Sequence, residues 1–173
     1  MTKSVLLLAG DEYEDLELQY PLMRLREASM WPVVAGKAAG VQHRGKYGYP
    51  VVTDRAFDDI DPEAFAGIIA PGGWMPDKLR RDDSVLGLMR AFDRDGKLIA
   101  SICHGGWICI SASVVSGRNY TGSRGIKDDL QNAGAVWHDE AVVVDGHHVS
   151  SRSPADLPQF MAAVLRILVE GPG

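Results

Sequence analysis

Cysteine is scarce in this chain, which has only Cys103 and Cys109 among its 173 residues. Their spacing is neither a redox Cys-x-x-Cys pair nor a zinc-ligand pattern, so a disulfide framework is excluded and a reducing cytoplasm is the expected setting. Positive charge is in deficit too: 18 Lys and Arg stand against 23 Asp and Glu, for a net charge of -5. With no local run of Lys or Arg, the chain lacks the footprint of a nucleic-acid binder. Long apolar runs are missing as well, and none reaches the roughly 20 residues of a membrane-spanning helix. The run from Val5 to Ala9 is cut off at once by acidic residues, so it reads as a buried first strand and not as a signal peptide. Repeats, low-complexity tracts and linkers are also lacking. Residues 1–173, 46% of them hydrophobic, are therefore expected to form a single domain with one core.

What is present is an alternation of strands and helices. Val5 to Ala9 is an unbroken apolar run, as expected of a strand covered on both faces, and Trp31 to Ala35, Gly67 to Ala70 and Lys97 to Ile102 read as further strands. Helical spacing runs through Leu18, Leu22, Leu25 and Ala28, with Pro21 required in the first turn or at a kink. It recurs from Ser84 to Arg94, from His104 to Ala112 with Trp107, Ile108 and Ile110 turned to the core, and from Ile126 to Ala133. The last helix, from about Leu157 to Glu170, takes Asp156 as its expected N-cap. Gln42 to Tyr49 reads as a hairpin excursion, and Asp145-Gly146 as the turn of a second hairpin between Ala141–Val144 and His148–Ser151. The pattern is α/β, with helices covering a mostly parallel sheet.

In such sheets ligands bind beyond the carboxyl ends of the strands. Three features fall there: the acidic loop Asp11-Glu12-Tyr13-Glu14-Asp15-Leu16-Glu17, the turn Pro71-Gly72-Gly73, and the stretch Ala100-Ser101-Ile102-Cys103-His104-Gly105-Gly106. In the last, an apolar run stops at a thiol followed by a histidine and two glycines, as a nucleophile on a tight strand-to-helix turn is written. Each feature alone has an ordinary explanation. Acidic residues complement a helix start, Pro-Gly-Gly reverses chains, and a buried cysteine such as Cys109 is inert. His43, His138, His147 and His148 read as solvated loop or strand residues, because His147 and His148 diverge if extended and no carboxylate spacing completes a metal site around them. No metal and no cofactor is expected. The functional reading rests on the conjunction.

These residues carry a resemblance. Ala100 to Gly105, Asp11 to Leu18, Gly125-Ile126-Lys127-Asp128-Asp129-Leu130, Asn132-Ala133-Gly134, Val142 to Gly146, Ser150-Ser151-Arg152 and Pro154-Ala155-Asp156-Leu157 resemble the PfpI intracellular protease family of the ThiJ/PfpI superfamily, in order from Val5 to about Leu168. The resemblance implies a flavodoxin-like three-layer sandwich with a nucleophile elbow. It also implies membership among cysteine peptidases, protein or nucleotide deglycases, glutathione-independent glyoxalases and stress proteins. It makes Cys103 the nucleophile and His104 its acid/base. Glu17 matches the carboxylate at the sulfur, and Asp77 matches an acid supplied by an adjacent subunit of a dimer or hexamer, where the family archetype has glutamate. The amides of Gly73 and His104 would form an oxyanion hole, and Glu14 and Trp74 would line the substrate pocket. Trp74 and Met75 fit either a subunit interface or the pocket wall. Gly106 stands where a proline is common, and Gly122-Ser123-Arg124 where relatives have Ser-Tyr-Pro, so a pocket tyrosine is missing.

The implied chemistry is attack of a thiolate on a small carbonyl, glycated or peptide substrate. A helix N-terminus is expected to lower the cysteine pKa from about 8.5, and a protonated Glu17 to donate to the anion. The rival reading is a redox sensor or stress chaperone in which Cys103 is oxidised and nothing turns over.

Overall fold

The computed structural model describes residues 3–171. The chain opens with β1 (Ser4–Leu8), α1 (Asp15–Glu27) and β2 (Trp31–Gly36), then makes a separate antiparallel hairpin from β3 (Gln42–Arg44) and β4 (Pro50–Val52), followed by β5 (Arg55–Ala56). Next come β6 (Gly67–Ala70), α2 (Met75–Leu79), α3 (Asp83–Arg94), β7 (Leu98–Ile102) and α4 (Gly106–Ser111). The remainder is β8 (Asn119–Tyr120), α5 (Lys127–Asn132), β9 (Val136–Trp137), β10 (Val142–Asp145), β11 (His148–Ser151) and α6 (Leu157–Glu170).

Val5, Leu6, Leu7 and Leu8 of β1 and every residue of β6 and β7 are buried. A strand shielded on both faces gains nothing from alternation, and each fully buried Val, Leu or Ile contributes about 1.5–3 kcal/mol. These strands form the middle of a seven-stranded sheet in the order β10-β11-β7-β6-β1-β2-β5, parallel except for the β10–β11 pair. Without its edge strands the order is that of a flavodoxin-like sheet, and it reverses between β1 and β6, the place where such sheets open a crevice. On one face α1 packs on α6; on the other α2, α3 and α5 gather around α4, which completes three layers. Among the described residues no helix is long and apolar enough to cross a membrane.

The helices follow their apolar stripes. Val85, Leu88, Met89 and Phe92 face the core from α3, whose first turn is capped by Asp82 accepting from the Ser84 amide. Gly134 takes φ +89 just beyond α5, the C′ conformation expected of it.

Two expectations are refined and two corrected. Of the two places open to Pro21, the first turn is excluded, because the residue lies well inside α1. Asp156 holds the N-cap position of α6 as expected but makes no side-chain cap hydrogen bond; its carboxylate is held by Arg152 at 3.0 and 3.2 Å, and a 3-10 turn, Pro154–Asp156, leads into α6. In the second hairpin Asp145 already pairs with His148, so the turn residues are Gly146 (φ +59) and His147. Of the three side chains assigned to the core from α4, Ile108 is fully buried, whereas Trp107 is partly exposed and faces His104.

Candidate active site at the strand-to-helix bend

The loops after β1 and β6 are stitched together. Glu14 N–H donates to Gly72 O at 3.0 Å, Trp74 N–H donates to Glu12 O at 2.9 Å, and Tyr13 bridges Gly73. Gly73 sits at φ +86, where a Cβ would run into the Glu12 carbonyl and the Glu14 amide, so only glycine fits. At the end of β7 the chain turns through Cys103, which has φ +59. A non-glycine residue in that region costs on the order of 1–3 kcal/mol, and persists only where its surroundings insist on it. Here Gly105 lies hard against the Ala70 carbonyl, Gly72 lies under both the Cys103 Cβ and the Glu17 carboxyl, and Ser123 N–H donates to Cys103 O at 3.2 Å.

The bend brings Cys103 Sγ to 3.3 Å from His104 Nδ1. Glu17, fully buried, accepts the Gly72 amide on Oε2 at 2.7 Å, while its Oε1 is buried without a hydrogen-bond partner. An orphaned carboxylate oxygen favours the neutral acid. Burial, with the nearby Glu14 charge added, pushes the Glu17 carboxyl up to about 8. The expected lowering of the Cys103 thiol is overturned. Burial first, and then the charge of an ionised Glu17, push it up to about 12, although the backbone amides of His104 and Gly73 pull the other way. The contribution from Glu17 charge exists only while Glu17 is ionised, so a proton kept on Glu17 relieves it. Burial and Lys46 hold the His104 imidazole below its ordinary value, which leaves it neutral and able to accept a proton at neutral pH.

The structure thus gathers Cys103, His104, Glu17 and the Gly73 amide. Trp74, 59% exposed, lies beside His104 with ring centroids 6.0 Å apart. Glu14 is spent otherwise: it is only 3% exposed, and its Oε2 caps α1 by accepting the Glu17 amide at 2.9 Å, so it offers a substrate almost no surface. Asp77, at the start of α2, pairs within its own chain with Arg81 and makes no hydrogen bond to His104. Ile126 fills the space beside Gly106, and Ser123 caps the turn at Arg124–Ile126, its Oγ accepting the Gly125 amide at 3.3 Å.

A second cluster lies at the opposite end of the sheet. Asp93 Oδ1 is met by His147 Nε2 at 2.9 Å, His148 Nε2 at 2.8 Å and Arg118 Nη2 at 2.9 Å. His148 is buried and not solvated as expected, and because His147 sits in the turn the two rings converge to 4.7 Å instead of diverging. Asp93 supplies the missing carboxylate from α3, distant in sequence, which is why no local spacing announced it. These three residues could offer ligand atoms to a cation, yet the guanidinium of Arg118 already occupies the same oxygen.

Comparison with known proteins adds a further line. Residues 3–167 match the DJ-1/PfpI family. Deglycase TK1284 of Thermococcus kodakarensis is 45% identical over 164 residues, which cover 95% of this chain and 98% of that protein. Protein/nucleic acid deglycase 2 of Escherichia coli is 40% identical over 170 residues, or 97% of this chain and 99% of its own. Among solved structures, a two-domain protein of Anabaena variabilis with DJ-1/ThiJ/PfpI-like and ferritin-like domains matches with a TM-score of 0.96 at 34% identity, over 98% of this chain and 49% of that one.

Proposed function

The chain belongs to the DJ-1/PfpI family, and from that premise we propose that it is a cysteine-dependent hydrolase or lyase in which Cys103 attacks the carbonyl carbon of a small glycated, aldehydic or peptide substrate. The relatives named as deglycases favour carbonyl adducts over peptides. The observation that carries the reading is the 3.3 Å approach of Cys103 Sγ to a neutral His104 at a strained bend.

In the proposed reaction the Sγ–C bond forms as the thiol proton passes to His104 Nδ1 and the carbonyl electron pair moves to oxygen. The amides of Gly73 and His104 meet that oxyanion, each worth about 3 kcal/mol in a site of this kind. With an acyl substrate the amine leaves with the proton from His104, and water then opens the thioester. With an aldehyde the product is a thiohemiacetal that can rearrange or reverse. Glu17 keeps its proton and adds no charge to oppose the anions. Asp77 would reach a neighbouring His104 only in a homo-oligomer, and a cytoplasmic role against carbonyl stress fits the reduced, unpaired cysteines.

The test is lactate release from a methylglyoxal-modified amino acid by wild type and Cys103→Ser. The proposal expects turnover that falls at least about a hundredfold in the variant. A wild type that releases no lactate while its intact mass gains oxygen on Cys103 under mild peroxide would replace it with the sensor.

A further inference from the structure

His104 needs something to hold its ring, since adjacent side chains on a helix diverge and a freely rotating imidazole would leave the sulfur. Within its own chain Asp77 does not reach the ring and pairs instead with Arg81. What touches the ring is Trp107, one helical turn further on, with ring centroids 4.9 Å apart and planes at 74°. His104 lies in the 3-10 turn Cys103–Gly105 that runs directly into α4, and positions three apart along such continuous helical chain share a face, so the two side chains meet.

Trp107 is itself fixed from two other elements. Its indole Nε1 donates to Asp129 Oδ2 of α5 at 2.8 Å. The guanidinium of Arg80, anchored by Nε donating to Ser111 Oγ at 2.9 Å, lies over the ring at 5.4 Å. An edge-to-face pair fixes direction as well as distance, and an indole pinned by a hydrogen bond and a cation cannot swing. On its outer side His104 meets Trp74, and its Nε2 looks onto Gly125, where a Cβ would stand 3.5 Å away and narrow the space.

We propose that Trp107, locked on Asp129, is the positioning residue that keeps His104 Nδ1 on the Cys103 sulfur, an aromatic clamp doing what a carboxylate does in other cysteine–histidine pairs. The inference deepens the reading of Cys103 as a nucleophile served by His104, and rests on it for its catalytic consequence. It also explains the partial exposure of Trp107, which turns toward His104 because its partner is there.

Three variants test it: Trp107→Phe, which keeps an aromatic ring but loses the hydrogen bond; Asp129→Leu, which removes the acceptor from an exposed position; and Asp129→Asn, which keeps an acceptor and removes the charge. Trp107→Phe and Asp129→Leu are expected to lower kcat about tenfold with KM within about twofold, and Asp129→Asn to retain most of kcat. Two readouts do not depend on substrate. The rate of Cys103 alkylation by iodoacetamide at pH 7 should fall at least about threefold in the first two variants only. The imidazole NMR titration of His104 should move down in Asp129→Asn, because Asp129 favours the protonated ring. Alkylation rates unchanged in Trp107→Phe and Asp129→Leu, with His104 shifts in Asp129→Leu no larger than those in Asp129→Asn, would overturn the clamp. A wild type that turns nothing over while those two readouts respond would overturn the proposed function and leave the clamp standing.

Discussion

Glu17 and Gly72, 55 residues apart in the chain, are joined by a 2.7 Å hydrogen bond that ties the first turn of α1 to the loop after β6. The bond occupies one carboxyl oxygen and leaves the other buried and unpartnered beside the bend at Cys103. The Gly72 amide, the Cys103 thiol and Lys46 favour the charged form but do not outweigh burial and the Glu14 charge, so the acid is protonated at neutral pH and the site owes its electrostatics to that proton.

Stability should therefore depend on pH through Glu17. Its folded value, about 8, lies above the 4.5 of the free group, so the native state holds a proton that the unfolded chain releases first. Stability is fully present below about pH 4.5 as far as this group is concerned, and is lost as pH rises from there to 8. Glu17→Gln imitates the neutral acid, with its carbonyl accepting from Gly72 and its amide in place of Oε1. Urea melts at pH 5, 7 and 9 are expected to show a smaller decline in the variant than in wild type.

Gly73→Ala should damage both fold and activity. The residue is held at φ +86 with no room for a Cβ, so the substitution is expected to cost about 1–3 kcal/mol and to displace an amide that faces the Cys103 sulfur. Denaturant midpoints together with kcat measure the two effects.

Asp93→Ala should separate stability from activity. It leaves His147, His148 and Arg118 without their shared acceptor, at the far end of the sheet from Cys103. A loss of about 2 kcal/mol with kcat unchanged is expected. His148 also contributes a pH dependence of its own. Burial holds it down to about 4, so its contribution is present above the ordinary histidine value of 6.5 and is lost as pH falls from there through 4. Thermal melts at pH 7 and pH 5 follow it.

Much of this arrangement is legible in the chain itself. Val5 to Leu8 is an unbroken apolar run and Leu98 to Ile102 is apolar but for Ser101, because both faces of those strands are covered, and Gly146 announces a hairpin because the turn needs its φ. Cys103, His104 and Gly73 stand together as their places at strand ends imply, and Glu17 joins them from the first turn of α1, as the family resemblance implies. Other features leave no local trace. β5, β8 and β9 are two residues each, too short for any period to register, and exist only because neighbours offer hydrogen bonds. Asp93 meets His147 and His148 from another element altogether. The raised Cys103 thiol comes from burial by the whole fold, which outweighs the amides that a strand-to-helix turn supplies. Trp107 fits an apolar helix pattern equally well facing the core or the cleft, and only Asp129 and Arg80 decide which.

The most direct test of a nucleophile served by neutral His104 and protonated Glu17 is the pH profile of kcat/KM for wild type and Glu17→Gln. Wild type is expected to rise to a plateau before neutrality, as His104 becomes neutral, and to decline near pH 8 as Glu17 ionises and opposes the sulfur anion. In Glu17→Gln the alkaline decline should disappear while the acid limb stays. An alkaline decline that persists unchanged in Glu17→Gln would contradict the assignment of that proton.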